Sequence, residues 1–284
     1  MRNNQVEAAV KLIDEGCTIP FISRYRKEAT GALNDEQLRN LDERLKYLRN
    51  LEDKKAQVIA SIAEQGLLTD ELKNQIEKAD TMVAVEDLYR PYRPKRRTRA
   101  TIAKEKGLEP LANIIMLQMT GEPVVKTAEE YVSEEKDVKT PEDAVAGAKD
   151  IIAESISDNA DYRTRIRELT FKEGVLTSAA KDAEAKTVYE MYYNFSEPAA
   201  KMAGHRILAV NRGENEKILT VKIEAPVDKI LSYLEKQIIV RDNQYTTGII
   251  KEAIEDSYER LIAPSIERLS LIHISEPTRQ EAIS

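Results

Sequence analysis

Between Asn34 and Gly66 the chain places apolar residues on one helical face for nearly thirty positions. Leu38, Leu41, Leu45 and Leu48 follow one another at spacings of three, four and three, and Leu51, Val58, Ile59 and Ile62 carry the stripe onward. That period belongs to a helix and to no strand. Asn34 or Asp35 is suited to cap its start, Glu36 sits in its first turn, and Gly66 marks its end. The pattern predicts one helix of about thirty residues whose seam must be covered by other helices. The cover comes either from the same chain or from a partner protein.

Shorter helical patterns surround it. Val6, Val10 and Ile13 share a face before Gly16, and TIPFISRYRKEATGAL holds a short basic helix between Pro20 and Gly31. Thr69 opens another helix, and Met82 to Leu88 forms one that Pro91 ends. Helices are expected again near Thr101, after Pro110, and from Pro141 through AVAGAKDIIAESISD. Residues 121–141 read as a connector with a short helix in it. YRTRIRELTF, from Tyr162, places Arg163, Arg165 and Arg167 near Ile166 and Leu169, and KEGVLTSAAK, from Lys172, has the glycine turn of a helix-turn-helix. HRILAVNRGENEKILTVKIEA alternates apolar and polar residues around NRGEN, which predicts strands at Arg206–Val210 and Lys217–Glu224. Helices resume after Pro226.

The expected fold class is therefore mainly α. It is an elongated multi-helix array with a helix-turn-helix element and one small β-hairpin near 206–224. Four segments are expected: 1–120 with the basic loop 90–106, 121–204, 205–268, and 269–284. The last of these contains LSLIHISEPTR, which breaks the helical pattern. It resembles the conceptual translation of a transposase-based sequencing adapter, so fold and function are read from residues 1–268.

Charge is distributed unevenly. Of 284 residues, 43 are Lys or Arg and 50 are Asp or Glu, a net charge of −7. Yet from Arg90 to Lys106 eight cations face only Glu105, a local +7, which leaves −14 for the rest. The eight are Arg90, Arg93, Lys95, Arg96, Arg97, Arg99, Lys104 and Lys106. Pro91 and Pro94 favour extended backbone there, so the side chains splay. Five arginines in such a run suit phosphate or carboxylate forks. Two uses are open: contact with a nucleic-acid backbone, with Tyr89 or Tyr92 stacking on a base, or bracing of the acidic helices of the same chain. Arg24, Arg26 and Lys27 form a second, weaker set, and YRTRIR a third.

Other chemistries lack their residues. One cysteine, Cys17, and two histidines cannot make a zinc site or an internal disulfide. Neither GxxxxGK[ST] nor GxGxxG occurs. No enzyme, cofactor or metal site is expected. Mean hydropathy is −0.49 and no apolar run approaches the roughly 18 residues of a membrane span. A soluble, cytoplasmic protein is expected.

Three blocks carry a resemblance: TIPFISRYRKEATGALNDEQLRNLDERLKYLRNLEDKK, EDLYRPYRPKRRTRATIAKEKGLEPLA and FSEPAAKMAGHRILAVNRGENEKILTVKI. They closely resemble the bacterial Tex family of transcription accessory proteins, with similarity across Gln5–Arg268. The resemblance implies an N-terminal helical region with a helix-turn-helix. An RNase H-like domain, helix–hairpin–helix modules and an RNA-binding OB-fold would lie beyond this chain. It implies nucleic-acid binding, RNA or DNA, as part of transcription, and no catalytic residue carries over. Arg90 stands where relatives often have an apolar residue before the proline. A phosphate-binding scaffold through Arg90, Arg93, Lys95, Arg96, Arg97, Arg99, Arg24, Arg26 and Lys27 is the first expectation. A module docking on RNA polymerase or ribosome-associated proteins is the second. Catalysis in nucleic-acid metabolism, confined to the full-length protein, is the third.

Overall fold

The computed structural model describes residues 1–94 and 97–267. The segment 269–284, and with it the adapter-like stretch, lies outside the described residues. The chain is mainly α, and its packing divides into one unit from Met1 to Tyr89 and another beginning at Arg90. None of the described helices is long and apolar enough to cross a membrane.

The first unit consists of α1 (Asn3–Asp14), α2 (Ile19–Tyr25), α3 (Asp35–Glu64), α4 (Asp70–Lys78) and α5 (Met82–Tyr89). α3 has the expected 30 residues, about 45 Å of helix. Asn34 caps it: its Oδ1 accepts from the Gln37 N–H at 2.8 Å, while Gln37 Oε1 accepts from the Asn34 N–H at 3.1 Å. Its seam is divided between two sets of neighbours. Leu38 and Leu41 pack with Ala9, Ile22 and Leu33 against α1 and α2. Leu51, Val58 and Ile62 are buried where α4 and α5 lie along the helix. Leu48, between them, is exposed. The buried Lys55 Nζ donates to Glu52 Oε1 at 2.8 Å and to the Glu77 carbonyl at 2.9 Å. A cation is well placed there, near the negative end of α4.

The second unit is built on α9 (Pro141–Asp158), after α6 (Arg99–Glu105), α7 (Glu109–Leu117) and α8 (Val124–Ala128). Thr140 and Asp143 cap α9 reciprocally, each bond at 3.1 Å, and Pro141 occupies its first turn. Eight residues of α9 are buried. α6, α7 and α8 pack on it from one part of the chain. From another come α13 (Thr247–Asp256) and the π-helical turn Ser257–Ile262. Gly147 permits the closest approach: a β-carbon there would lie 2.4 Å from Leu108 Cδ1. α10 (Ala160–Glu173) precedes a three-stranded antiparallel sheet of β1 (Val175–Ala180), β2 (Asn194–Pro198) and β3 (Leu219–Glu224), in the order β2-β1-β3. α11 (Gly204–Asn215) packs on β3, and α12 (Val227–Ile238) leads to α13.

Two local expectations are corrected. Arg206–Val210 is not a strand and NRGEN is not a hairpin turn, because both belong to α11. Ile207, Val210 and Gly213 are its buried positions, three residues apart, so the short alternation in HRILAV fitted a helix equally well. Only the second predicted strand exists, and it pairs with β1, not with its predecessor. KEGVLTSAAK is likewise not the turn of a helix-turn-helix. Gly174 ends α10, and Val175–Ala180 becomes the central strand of the sheet. Its partners lie far along the chain: Ala179 faces Asn194 and Ala180 faces Leu219.

Candidate nucleic-acid interface

The basic segment starts where α5 ends, and much of its charge is matched at once by carboxylates of its own unit. Arg90 Nε donates to Asp158 Oδ1 at 3.2 Å, and both groups are at least partly shielded. Asp158 closes α9, where the dipole disfavours an anion, so Arg90 offsets an otherwise unfavourable charge. Arg97 Nη2 reaches Glu105 Oε2 at 3.0 Å across α6. Lys104 lies 3.3 Å from Glu109. Lys106 Nζ donates to the Asp137 carbonyl at 2.7 Å and to its carboxylate at 3.1 Å. That hydrogen bond holds the Asp137 carboxyl below the usual aspartate range.

Arg99 is exposed at the first position of α6, after the cap formed by Thr98 and Thr101. Its field reaches Asp150 and Asp256. Burial pushes the Asp150 carboxyl up, against the opposing pull of Arg260 and Arg99. Asp256 is held down, first by its hydrogen bond with Arg260. Arg260 bridges the two, with Nη2 3.1 Å from Asp150 and Nε 2.8 Å from Asp256. The cleft of about 430 Å³ beside Arg99 is lined by Lys106 and Lys139 but also by Asp137, Asp143 and Asp150. Three carboxylates make it a poor groove for a polyanion.

Arg93 is exposed. Lys95 and Arg96 lie outside the described residues. Tyr89 is engaged within the fold: its hydroxyl is 2.9 Å from Ser61 Oγ, and Lys54 Nζ lies 6.0 Å from its ring centroid. The third arginine set is mostly structural. Arg163 is buried, donating to the Ser157 carbonyl at 3.4 Å and to Ser265 Oγ at 2.6 Å. Arg165 is exposed and paired with Glu168 at 3.0 Å.

The weaker set of the sequence has the more open geometry. Arg24, Arg26 and Lys27 are all exposed at the end of α2 and in the turn after it. Among the described residues no carboxylate lies within ion-pair distance of any of them. The turn itself is well held. The Ala32 N–H donates to the Lys27 carbonyl at 2.7 Å, and Thr30 Oγ1 donates to the Arg26 carbonyl at 3.1 Å. Gln5 of α1 donates to the Gly31 carbonyl at 2.9 Å. Gly31 adopts a left-handed φ of 58°, and a β-carbon there would meet Gln5 Nε2 at 2.6 Å. A cleft of about 490 Å³ runs over residues Arg24 to Ala29, with Glu28 as the one carboxylate among its described lining residues. Phe21 and Tyr25 stand exposed beside these cations, a pair the charge-based reading passed over. Their i,i+4 spacing on a basic helix was the available signal.

Comparison with known proteins agrees with this architecture. Residues 1–63 match the family described as Tex-like protein N-terminal domain, and residues 120–283 match Tex central region-like. The chain is 50% identical to the uncharacterized protein YdcI of Bacillus subtilis, over 100% of this chain and 40% of that protein. It is 38% identical to the transcriptional accessory protein Tex of Neisseria gonorrhoeae, over 99% of this chain and 38% of the relative. It is 28% identical to the human S1 RNA-binding domain-containing protein 1, over 96% of this chain and 29% of that protein. The chain thus spans two fifths or less of the length of these relatives. Two family models that match along most of its length, on a mainly helical framework, show that it belongs to the Tex family.

Proposed function

We propose that this chain is a nucleic-acid-binding scaffold of the Tex transcription accessory proteins. It contacts the phosphate backbone without base readout by its cations and without catalysis, in the cytoplasm. The observation that carries this reading is the exposed trio Arg24, Arg26 and Lys27, held on a pinned turn with no contact ion pair among the described residues. A cation with no carboxylate to release meets phosphate at full strength, and each such contact frees counterions.

Arg97 and Arg99 supply a second, weaker contact. The ion pair of Arg97 with Glu105 is exposed on both sides, and exposed pairs exchange at small cost. Two relatives are named for transcription and for an S1 RNA-binding domain, which supports a polyanion as the partner. The protein-docking reading draws less support, because α1, α2, α4 and α5 cover most of the Leu38–Ile62 seam.

The test is binding of the whole chain to single-stranded and duplex oligonucleotides across a salt series. Salt-sensitive binding is expected, and joint substitution of Arg24, Arg26 and Lys27 by Glu lowers affinity by on the order of a hundredfold at low salt. Substitution of Arg97 and Arg99 by Glu causes a smaller loss. Absence of binding at low salt, or binding indifferent to both variants, contradicts the proposal.

A further inference from the structure

We propose that Phe21 and Tyr25, with the cations beside them, form a stacking site for an unpaired base of a single-stranded nucleic acid. This rests on the reading above that the chain binds a polyanion, and it adds which part of that polyanion the site takes besides phosphate.

Four observations meet at this site. First, the rings sit one helical turn apart on α2, their centroids 5.4 Å apart and their planes inclined at 43°. Second, both are open to solvent: Tyr25 is 70% exposed and Phe21 38%. Third, Arg26 occupies one approach to Phe21, its guanidinium carbon 5.6 Å from the ring centroid. Tyr25, by contrast, has no cation among the described ring contacts. Fourth, Arg24 and Arg26 flank Tyr25 directly in sequence, Lys27 follows Arg26, and the turn after α2 is fixed by Gln5.

The chemistry of the partner follows from that combination. Cations alone suit any polyanion, including an acidic peptide. Exposed rings alone suit any apolar surface. An open tyrosine face with phosphate-binding groups one residue away on either side suits a polymer that alternates flat π-systems with anions. In a duplex the bases already stack on one another, and their faces are closed to a side chain. In a single strand one base can swing onto Tyr25 while the neighbouring phosphates meet the cations. The site therefore favours single strands, with little dependence on which base is stacked.

The experiment compares two probes of equal length and charge: oligothymidine and an oligomer of abasic sites. The whole chain is used throughout. It is expected to bind oligothymidine roughly tenfold more tightly than the abasic oligomer, the effect of about one stacked base. Tyr25→Ala erases that preference while leaving the salt dependence and the thermal midpoint in place, and Tyr25→Leu does the same. Since the chain has no tryptophan, Tyr25→Trp adds a unique reporter, expected to keep the preference and to be quenched by oligothymidine but not by the abasic oligomer.

Equal, salt-sensitive binding of both probes overturns stacking while leaving phosphate contact intact. So does a preference that survives Tyr25→Ala, or a bound Tyr25→Trp protein without quenching. Tighter binding to a duplex of the same length overturns it as well. Absence of salt-sensitive binding to either probe removes the underlying reading and this inference with it.

Discussion

The segment from Arg90 to Lys106 and the turn from Arg24 to Lys27 use the same residue types to opposite ends. The first is dense in charge, yet Arg90, Arg97, Lys104 and Lys106 each face a carboxylate of the same unit. The second has three cations, and among the described residues none is in an ion pair. The number of cations in a stretch of sequence therefore does not measure the charge available to a ligand. In an acidic chain a basic run is the natural brace for acidic helices, and a small basic turn with no carboxylate in ion-pair contact among the described residues keeps its field.

The comparison can be broken or sharpened at several places. The largest stability effect is expected where an arginine is most thoroughly incorporated. Arg163→Ala should cost on the order of 2–3 kcal/mol, since it removes a buried guanidinium and leaves the Ser157 carbonyl and Ser265 hydroxyl without their donor. Thermal or urea denaturation measures this, and oligonucleotide affinity at a temperature where the variant is folded should stay unchanged.

Arg90→Gln is the intermediate case. It removes the contact with Asp158 at the end of α9 and should cost about 1 kcal/mol, again without loss of oligonucleotide binding. A fall in affinity with no fall in stability would move Arg90 from brace to ligand contact.

The smallest expected effect is a pH dependence near Arg99. Hydrogen bonding to Arg260 holds the Asp256 pKa below its unfolded value. Its stabilising contribution is therefore present above the ordinary aspartate pKa of about 4 and is lost as pH falls through the lower folded value. Asp150 has the opposite sign, because burial raises its pKa, so its charge costs stability at neutral pH and acid relieves it. Asp256→Asn should flatten the fall in stability below about pH 4, as read from thermal midpoints over a pH series.

These arginines also show what a sequence can and cannot disclose. α3 was legible because its information is local: the Asn34 cap, the leucine spacing and Gly66 all lie within one stretch. The helices expected after Thr69, near Thr101 and from Pro141 were legible for the same reason. The sheet was not, because β1 finds its partners across the chain, with Ala180 opposite Leu219. HRILAV was too short to separate a period of two from one of three or four, and the packing of Ile207 and Val210 decided it. The charge pairing was hidden likewise. Asp158 is 68 positions from Arg90, and Asp137 is 31 positions from Lys106. Phe21 and Tyr25 were visible in the sequence, but their exposure is a tertiary fact.

The central claim is that, among the described residues, the turn and not the dense segment carries most of the free charge. The salt dependence of single-strand binding measures it directly, with Arg24, Arg26 and Lys27 changed to Gln in one protein and Arg90, Lys104 and Lys106 changed to Gln in another. Each lost phosphate contact removes about 0.7 from the slope of log affinity against log salt. The first protein should lose about 2 from its slope and the second should keep that of the unaltered chain. A full slope in the first with a reduced slope in the second would contradict the account.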